Sequence, residues 1–277
     1  MVRILGILVG FGFVGVAAWS LLWGVVAYLK DPPRETAEHR FHEHAREDIR
    51  YSFDGPFGRY DRRQLQRGLY VFQEVCSGCH SLQYVAFRNF HELGYSEAEV
   101  RAIADRWPRK VATVNPRDGA PAERNAIPAD HIPSPYPNET AARSVNGNAL
   151  PPDLSLITKA REGGPAYVES LLTGYRDPPA DLPRDNRPGP NLHYNPHFAN
   201  LNIAMPPPLR DGQLTYADGT QATQRQMAHD VAAFLAWTAE PGADSRKNMG
   251  IVVLIFLLIG TVLAYMAYQN VWAGKKH

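Results

Sequence analysis

The sequence of 277 residues has only two cysteines, no excess of one charge sign, and no charged residue in a long stretch near either end. Its formal charge of +1 gives no overall electrostatic preference for nucleic acid or acidic partners. Two cysteines permit one disulfide at most, and a zinc site would need a second Cys/His pair. No internal repeat is present, and the length suggests one or two domains.

The charges are concentrated in the middle of the chain. All 28 Asp and Glu, and 25 of the 29 Lys and Arg, lie within residues 31–247, which therefore carry a net charge of −3. This balance is a weak indication of a cationic partner, and in most domains it means only a solvated surface.

The two stretches without charge are residues 4–29 and 249–274, each 26 residues long. As helices they would measure about 39 Å, whereas the hydrocarbon core of a bilayer is about 30 Å thick. Both can therefore span a membrane. Aromatic residues near their ends suit the membrane interface; these are Trp23, Tyr28, Tyr265, Tyr268 and Trp272.

The second run predicts a C-terminal anchor, whereas the first permits two interpretations. Arg3 followed by an apolar stretch, with small residues at Val16 and Ala18, is also typical of a cleaved signal peptide. However, the apolar run continues about ten residues beyond Ala18, longer than the usual 7–15 residues of a signal peptide. We expect a retained N-terminal helix.

Positive charge near both termini predicts the orientation. Arg3, Lys275 and Lys276 favour cytoplasmic termini, although Lys30 and Arg34 weaken the N-terminal signal. We therefore expect three parts: a transmembrane helix or uncleaved signal anchor at 1–30, a periplasmic domain at 31–247, and an anchor with a short cytoplasmic tail at 248–277. The expected location is a bacterial inner membrane.

The chemistry is indicated by Cys76-Ser77-Gly78-Cys79-His80, the C-x-x-C-H pattern of covalent haem c attachment. Each thiol adds to one haem vinyl group, and the adjacent imidazole binds the iron. One helical turn brings Cys76, Cys79 and His80 to a single face. Upstream, the spacing of Leu65, Leu69 and Phe72 predicts a helix leading into the site.

Two other interpretations of the cysteine pair are less well supported. A thioredoxin-like redox pair requires a βαβ context, and no strand pattern is visible beside the motif. A zinc site lacks further cysteines. We therefore predict one covalently bound haem c.

Met205 is the candidate for the second axial ligand. It lies before Pro206, Pro207 and Pro208, where the rigid backbone would hold a thioether in place. It could instead fill a gap in the core. Met227 is better explained as core, because it falls on a helical apolar stripe opened by a Thr223–Gln226 capping box.

The remaining histidines give weaker signals. His39, His42 and His44 form a cluster that could bind a metal, but a solvated flank is the better interpretation. The others are predicted to be ordinary surface or core residues; they are His91, His131, His193, His197 and His229.

The body is predicted to be an all-α haem domain with long proline-rich loops. Residues 108–208 hold 19 of the 23 prolines. Helices are expected from a Ser96–Glu99 capping box to Pro108, from Pro152 to Gly163, and from Pro165 to Gly174. An alternating pattern around an Asp-Gly turn predicts a small hairpin at 214–220.

The chain closely resembles the cytochrome c1 family, the haem c subunits of cytochrome bc1 complexes. The most specific matches are Asn-Gly-Asn-Ala-Leu-Pro-Pro-Asp-Leu-Ser at 146–155 and Leu-Leu-Thr-Gly-Tyr at 171–175. Other matches lie at 67–68, 75–81, 84–88, 167–170, 194–198, 203–207 and 218–220, in the same order and spacing from about residue 48 to the end.

The resemblance implies an all-α, class I cytochrome c-like haem domain with loop insertions, and it implies roles for particular residues. Met205 occupies the family's axial-ligand position, opposite His80. Arg161 and Tyr167 would reach the haem propionates, although from the residues alone Arg161 could be a cation at a helix C terminus. The pocket would be lined by Asn146, Ala149, Leu150 and Pro151. No residue is expected to be catalytic.

The implied function is electron transfer from a Rieske iron–sulfur protein to a soluble or membrane-anchored cytochrome c, without bond-making catalysis. Cytochrome b and membrane lipid would contact the anchor, in a complex expected to be dimeric, and no nucleic-acid partner is expected. Two features depart from the family pattern: the sequence has no cysteine beyond the haem pair, and the first span is expected to be retained.

Two other functions use the same motif. One is a membrane-anchored electron shuttle to a terminal oxidase. The other is a haem-based gas sensor or peroxidase, which needs an open or labile sixth coordination position.

Overall fold

The computed structural model describes residues 2–32 and 35–274. The chain forms two compact units, one ending at Phe41 and the other beginning at His42. The first unit contains helix α1 (Val2–Lys30) and the short helix α2 (Ala37–Phe41). Helix α1 coincides with the first apolar run and is long and apolar enough to cross a bilayer.

The second unit is mainly helical, as predicted. Its helices are α3 (Arg62–Glu74), α4 (Glu97–Asp105), α5 (Glu139–Val145), α6 (Ile157–Ala160), α7 (Gly164–Thr173), α8 (Gln224–Ala239) and α9 (Ala243–Trp272). Short 3₁₀ turns cover Cys76–Gly78, Phe87–Leu93 and Arg184–Asn186. The strands are β1 (Leu82–Ala86), β2 (Val111–Val114), β3 (Pro121–Arg124), β4 (His131–Ile132), β5 (His193–Tyr194) and β6 (Asn202–Ile203). They pair antiparallel as β1–β4, β2–β3 and β5–β6.

The core is centred on the packing of α3 against α8. A Cβ atom on Gly68 would lie only 2.1 Å from the backbone oxygen of Asp230, so this close approach requires glycine. Phe72 of α3 faces Phe234 of α8, with ring centroids 5.9 Å apart. Met227 is fully buried in α8, which confirms its predicted role in packing. The helix that leads into the motif is therefore fixed by apolar packing against α8.

Helix boundaries follow the predicted caps at most positions. The Ser96–Glu99 capping box opens α4, and the Thr223 hydroxyl accepts from the Gln226 backbone N–H at the start of α8. The helix expected between Pro152 and Gly163 is shorter than predicted. It covers only α6, because the preceding residues form hydrogen bonds with another segment, described below.

The hairpin predicted at 214–220 is wrong. Asp218 and Gly219 do form a turn, with Gly219 at φ +80°, but none of residues 214–220, all of which the structure describes, belongs to a strand. The segment is instead held by its side chains. The Asp218 carboxylate accepts from Arg67 at 2.9 Å, and Arg67 also binds Asp230 of α8 at 2.9 Å. An ion pair to the core replaces the expected cross-strand ladder.

Helix α9 contains the second apolar run and meets the length and hydropathy requirements for a membrane span. Its first turns carry charges, and the rest has none through Trp272. Arg34, Lys275 and Lys276, on which the orientation prediction partly depends, lie outside the described residues.

Candidate functional site

The two cysteines and His80 lie on one tight turn at the end of α3. The helix stops at Glu74, and the chain continues as a 3₁₀ turn over Cys76–Gly78. The backbone N–H groups of Cys79 and His80 both donate to the Cys76 carbonyl, at 3.1 and 2.9 Å. This hydrogen bonding closes the backbone of the motif into a single turn.

The two thiols have different surroundings. Cys76 packs against the apolar core, whereas Cys79 is exposed, and the structure joins neither of them in a disulfide. Burial, with a smaller contribution from Cys79, raises the pKa of the Cys76 thiol to about 12. Like other thiols that are buried in apolar surroundings, Cys76 therefore stays protonated until it forms a covalent bond.

His80 is oriented by a distant segment. Its Nδ1 lies 2.8 Å from the Pro152 carbonyl oxygen, which can only accept, so Nδ1 carries the proton. The Nε2 lone pair is then available to a metal, and the hydrogen bond fixes the ring in that tautomer. Burial lowers the pKa of His80, which favours the neutral imidazole.

Asp153 joins the two segments that hold His80. One carboxylate oxygen accepts from the Ser81 hydroxyl and the Gln83 backbone N–H, each at 2.8 Å. The other accepts from the Ser155 backbone N–H at 2.9 Å. The Leu154 N–H donates to the Ser81 carbonyl at 2.9 Å. These contacts delay the start of α6, and the sequence analysis assigned no role to Asp153.

Asn146 and Tyr136 connect the loop after α5 to Cys79. The Asn146 amide donates to the Tyr136 hydroxyl at 2.9 Å and to the Ala142 carbonyl at 2.7 Å. The Tyr136 hydroxyl lies near the Cys79 side chain, and burial raises the pKa of Tyr136. Tyr136 was missed because nothing in its local sequence distinguishes it.

The other predicted pocket residues lie in the stretch that leads to Pro152. Gly147 and Asn148 both adopt positive φ, at 59° and 69°, and the Ala149 N–H donates back to the Asn146 carbonyl at 3.0 Å. Leu150 remains 37% exposed, and Pro151 is partly buried. This stretch therefore offers apolar surface next to the motif.

Met205 lies in the loop that follows β6. Its side chain is partly buried and packs against the core. Its backbone carbonyl accepts a hydrogen bond from the Tyr175 hydroxyl at 3.0 Å. Tyr175 follows Gly174, the C-cap of α7, so α7 positions the methionine loop. The sequence analysis did not assign a role to Tyr175.

Arg161 and Tyr167 lie close together. Arg161 is exposed and follows α6, and burial raises the pKa of Tyr167 on α7 although the nearby Arg161 guanidinium opposes that rise. Burial and the neighbouring Tyr167 together raise the pKa of Tyr175. Arg161, Tyr167 and Tyr175 are therefore near neighbours, and Tyr175 is hydrogen-bonded to the Met205 carbonyl. The segment from Pro152 to Arg161 joins this group to the one around His80.

The predicted histidine cluster does not form a metal site. Within residues 2–32 and 35–274, no group of three or more His, Cys, Asp or Glu side chains is arranged to hold a metal ion. His39 pairs with Glu35 at 3.2 Å, and the rings of His42 and His44 meet edge to face at 5.5 Å. His39 and His44 are exposed and His42 is partly buried, and the solvated flank stays a prediction.

The residues of the motif fit a haem c. Two thiols on one turn match two thioether bonds, and the adjacent imidazole has its Nδ1 proton engaged and its Nε2 lone pair available. A partly buried thioether on a proline-rich loop offers a second axial ligand.

Comparisons with known proteins agree on one family. A family model described as the cytochrome C1 family matches residues 51–275. The cytochrome c1 of Rhodospirillum rubrum is 45% identical over 240 residues, covering 82% of this chain and 87% of that protein. A mitochondrial cytochrome c1 heme protein of Saccharomyces cerevisiae is 44% identical, covering 87% and 75%. The cytochrome b/c1 of Bradyrhizobium diazoefficiens is 46% identical over 82% of this chain, which spans only 35% of that longer protein.

Proposed function

Because the chain belongs to the cytochrome c1 family, we propose that it is a membrane-anchored cytochrome with one covalently bound haem c. In this role it accepts an electron from a Rieske iron–sulfur protein and passes it to cytochrome c, as a subunit of ubiquinol–cytochrome c reductase. Cytochrome b contacts its anchor in a dimeric complex. The chain itself makes and breaks no substrate bond.

The observation that carries the proposal is the hydrogen bond from His80 Nδ1 to the Pro152 carbonyl, directly beside the two thiols. Cys76 and Cys79 would hold the haem through thioether bonds, and His80 Nε2 and the Met205 thioether would be its axial ligands. When bound, haem c supplies a one-electron iron couple, and His/Met ligation places it at high potential. A histidine whose tautomer is fixed keeps the same coordination in both oxidation states.

The other residues would hold the group in place and limit access to it. Arg161 and Tyr167 offer a guanidinium and a hydroxyl side by side, which suits the paired carboxylates of haem propionates. Asn146, Ala149, Leu150 and Pro151 would cover the edge next to Cys79. Tyr175 would hold the Met205 loop closed, so that the sixth position stays filled.

The proposed topology has transmembrane helices at 1–30 and within 248–277, and a haem domain at 31–247 on the periplasmic side of a bacterial inner membrane. The lengths and hydropathy of α1 and α9 support two spans. With this arrangement the haem domain faces the compartment in which a cytochrome c acceptor would be found.

Copurification from gently solubilised membranes tests the assignment of partners. We expect cytochrome b and a Rieske protein to elute with this chain in constant ratio. Recovery of the chain with a terminal oxidase and without cytochrome b would instead identify an electron shuttle.

Carbon monoxide tests the closed site separately. Since both axial positions would be filled, the reduced native protein should bind CO only slowly, as the thioether leaves the iron. Rapid CO binding would contradict the His80/Met205 assignment and would favour a gas sensor or a peroxidase.

A further inference from the structure

A loop of the haem domain packs against the first turns of α9. We define the collar loop as residues 53–60. The ammonium of Lys247 donates to the carbonyls of Phe53 and of Gly58, the latter at 3.2 Å. The Arg59 guanidinium donates to the Asn248 side-chain oxygen at 2.8 Å. The loop is therefore fixed to the base of the helix.

The end of the collar loop is equally well held. The Tyr60 N–H donates to the Asp244 carboxylate at 3.3 Å. The Tyr60 hydroxyl donates to the carbonyls of Ala236 and Glu240, at 3.2 and 3.1 Å. Because these groups belong to the end of α8 and the start of α9, they fix the position of the collar loop along the axis of α9.

The collar loop lies beside the part of α9 where the apolar run starts. Lys247 is the last charged residue of α9 before the uncharged stretch that begins at Met249. A small cavity of about 120 Å³ lies between the collar loop and the helix, and its walls include Phe57, Arg59 and Ile251. The cavity thus extends from the last charged turn to the first apolar turn.

Phe57 lies at this level and is 78% exposed. A single exposed aromatic ring is common on protein surfaces and by itself indicates little. Here, however, the ring is carried by a fixed loop beside a helix that enters the bilayer. Inserting it would bury apolar surface at little cost in conformational entropy.

The polar groups around the cavity complement a phosphate. Two of the charged residues that line the cavity, Arg59 and Lys247, are cationic. Its one carboxylate, Asp244, already accepts a hydrogen bond from the Tyr60 N–H. A guanidinium has five N–H donors and an ammonium three, so each has donors beyond those used by Asn248 and the two loop carbonyls.

We propose that the collar loop is a phospholipid-binding surface. Phe57 inserts at the boundary between headgroups and acyl chains, and Arg59 with Lys247 binds the lipid phosphate. The inference rests on the proposed membrane span of α9, but not on the identity of the electron donor or acceptor. It assigns the loop to the lipid rather than to a protein partner.

Labelling of an introduced thiol tests the insertion. The full-length Phe57→Cys haem protein is placed alone in phospholipid nanodiscs and treated with a water-soluble maleimide. Tyr84→Cys, at a residue that is 68% exposed on β1, is the matched control. We expect labelling at position 57 to be at least tenfold slower, because a thiol in the interface is poorly ionised and poorly accessible.

Three outcomes can be distinguished. Equal labelling rates, in a sample that co-elutes with nanodiscs, overturn the insertion and leave the membrane span intact. Failure to co-elute overturns the span itself. Protection that appears only when cytochrome b is present overturns the lipid assignment in favour of a protein partner.

Native mass spectrometry tests the phosphate contact. Full-length wild-type protein and Arg59→Gln are titrated with phosphatidylglycerol in detergent, and Arg63→Gln serves as the control because it is exposed but does not line the cavity. We expect Arg59→Gln to weaken the tightest lipid adduct at least fivefold, with Arg63→Gln unchanged. Equal loss in both variants, or in neither, overturns the phosphate site.

Discussion

The hydrogen bond from the Tyr175 hydroxyl to the Met205 carbonyl leads to a measurable prediction. The bond is 3.0 Å long and partly buried, and it ties the methionine loop to the end of α7. Tyr175→Phe removes the hydroxyl and keeps the ring. Since the substitution touches neither proposed ligand, its effect should be on how often the loop opens.

The size of the effect follows from the geometry. A neutral hydrogen bond contributes about 1 kcal/mol, and a partly buried carbonyl left without a partner costs about 1–3 kcal/mol. A loss of about 1–2 kcal/mol corresponds to a factor of about 5–30 in the population of the open loop. If Met205 binds the iron, CO can bind only after the thioether has dissociated. CO should therefore bind the reduced variant about 5–30 times faster than the wild type.

The assay is stopped-flow mixing of the reduced protein with CO. Tyr60→Phe is the matched control, since Tyr60 also donates from a partly buried hydroxyl to backbone carbonyls, at a place remote in sequence from Met205. Tyr60→Phe should lower the free energy of unfolding without changing the rate of CO binding. Equal CO rates in the wild type and Tyr175→Phe, with both folded, would refute the role of Tyr175.

Three further predictions concern the ligands and the core. Met205→Leu should lower the midpoint potential and admit CO, because the thioether stabilises ferrous iron; an unchanged redox titration would count against ligation. Cys79→Ala should retain the haem through a single thioether at Cys76, with the reduced absorption band at longer wavelength because one vinyl group stays conjugated; complete loss of haem on denaturation would contradict this. Gly68→Ala should reduce the free energy of unfolding by about 1–3 kcal/mol or more, since its Cβ would lie 2.1 Å from the Asp230 oxygen. Gly189→Ala, with open space around it, is the control in the same denaturant titration.

The parts of the site that are local in sequence could be predicted from it. Cys76, Cys79 and His80 are neighbours, so one turn determines their geometry. The apolar period of α3 was visible for the same reason. The hydrogen-bond partner of His80 could not be predicted from the sequence. Pro152 is 72 residues away, and it contributes a backbone carbonyl that no side-chain pattern reveals.

Errors arose where tertiary contacts outweighed local propensity. Both Asp118-Gly119 and Asp218-Gly219 are turn signals, and both glycines have positive φ. Only the Asp118-Gly119 turn lies between two paired strands, β2 and β3. This strand pair was not predicted from the sequence. The second turn is bound to Arg67 and cannot form the ladder that was expected. The side chains that link the site were missed for a related reason, because Tyr136 and Tyr175 act through contacts distant in sequence.

The shortened α6 shows the same competition. Residues after Pro152 have no local obstacle to a helix, yet Asp153 and Leu154 form hydrogen bonds with Ser81 and Gln83 instead. The Leu154 N–H is thus satisfied outside the helix, and the Asp153 carboxylate fixes the same segment to the residues that follow the motif. The helix can therefore begin only at Ile157.

The central claim, that this chain holds one haem covalently through Cys76 and Cys79, is tested most directly by the mass of the intact chain. The protein is purified from membranes and extracted with acidified acetone, which removes haem that is not covalently bound. We predict the mass of the polypeptide plus one haem, and a haem-bearing peptide that contains Cys76 and Cys79. A polypeptide mass without haem, from a sample that showed a haem spectrum before extraction, would contradict the account.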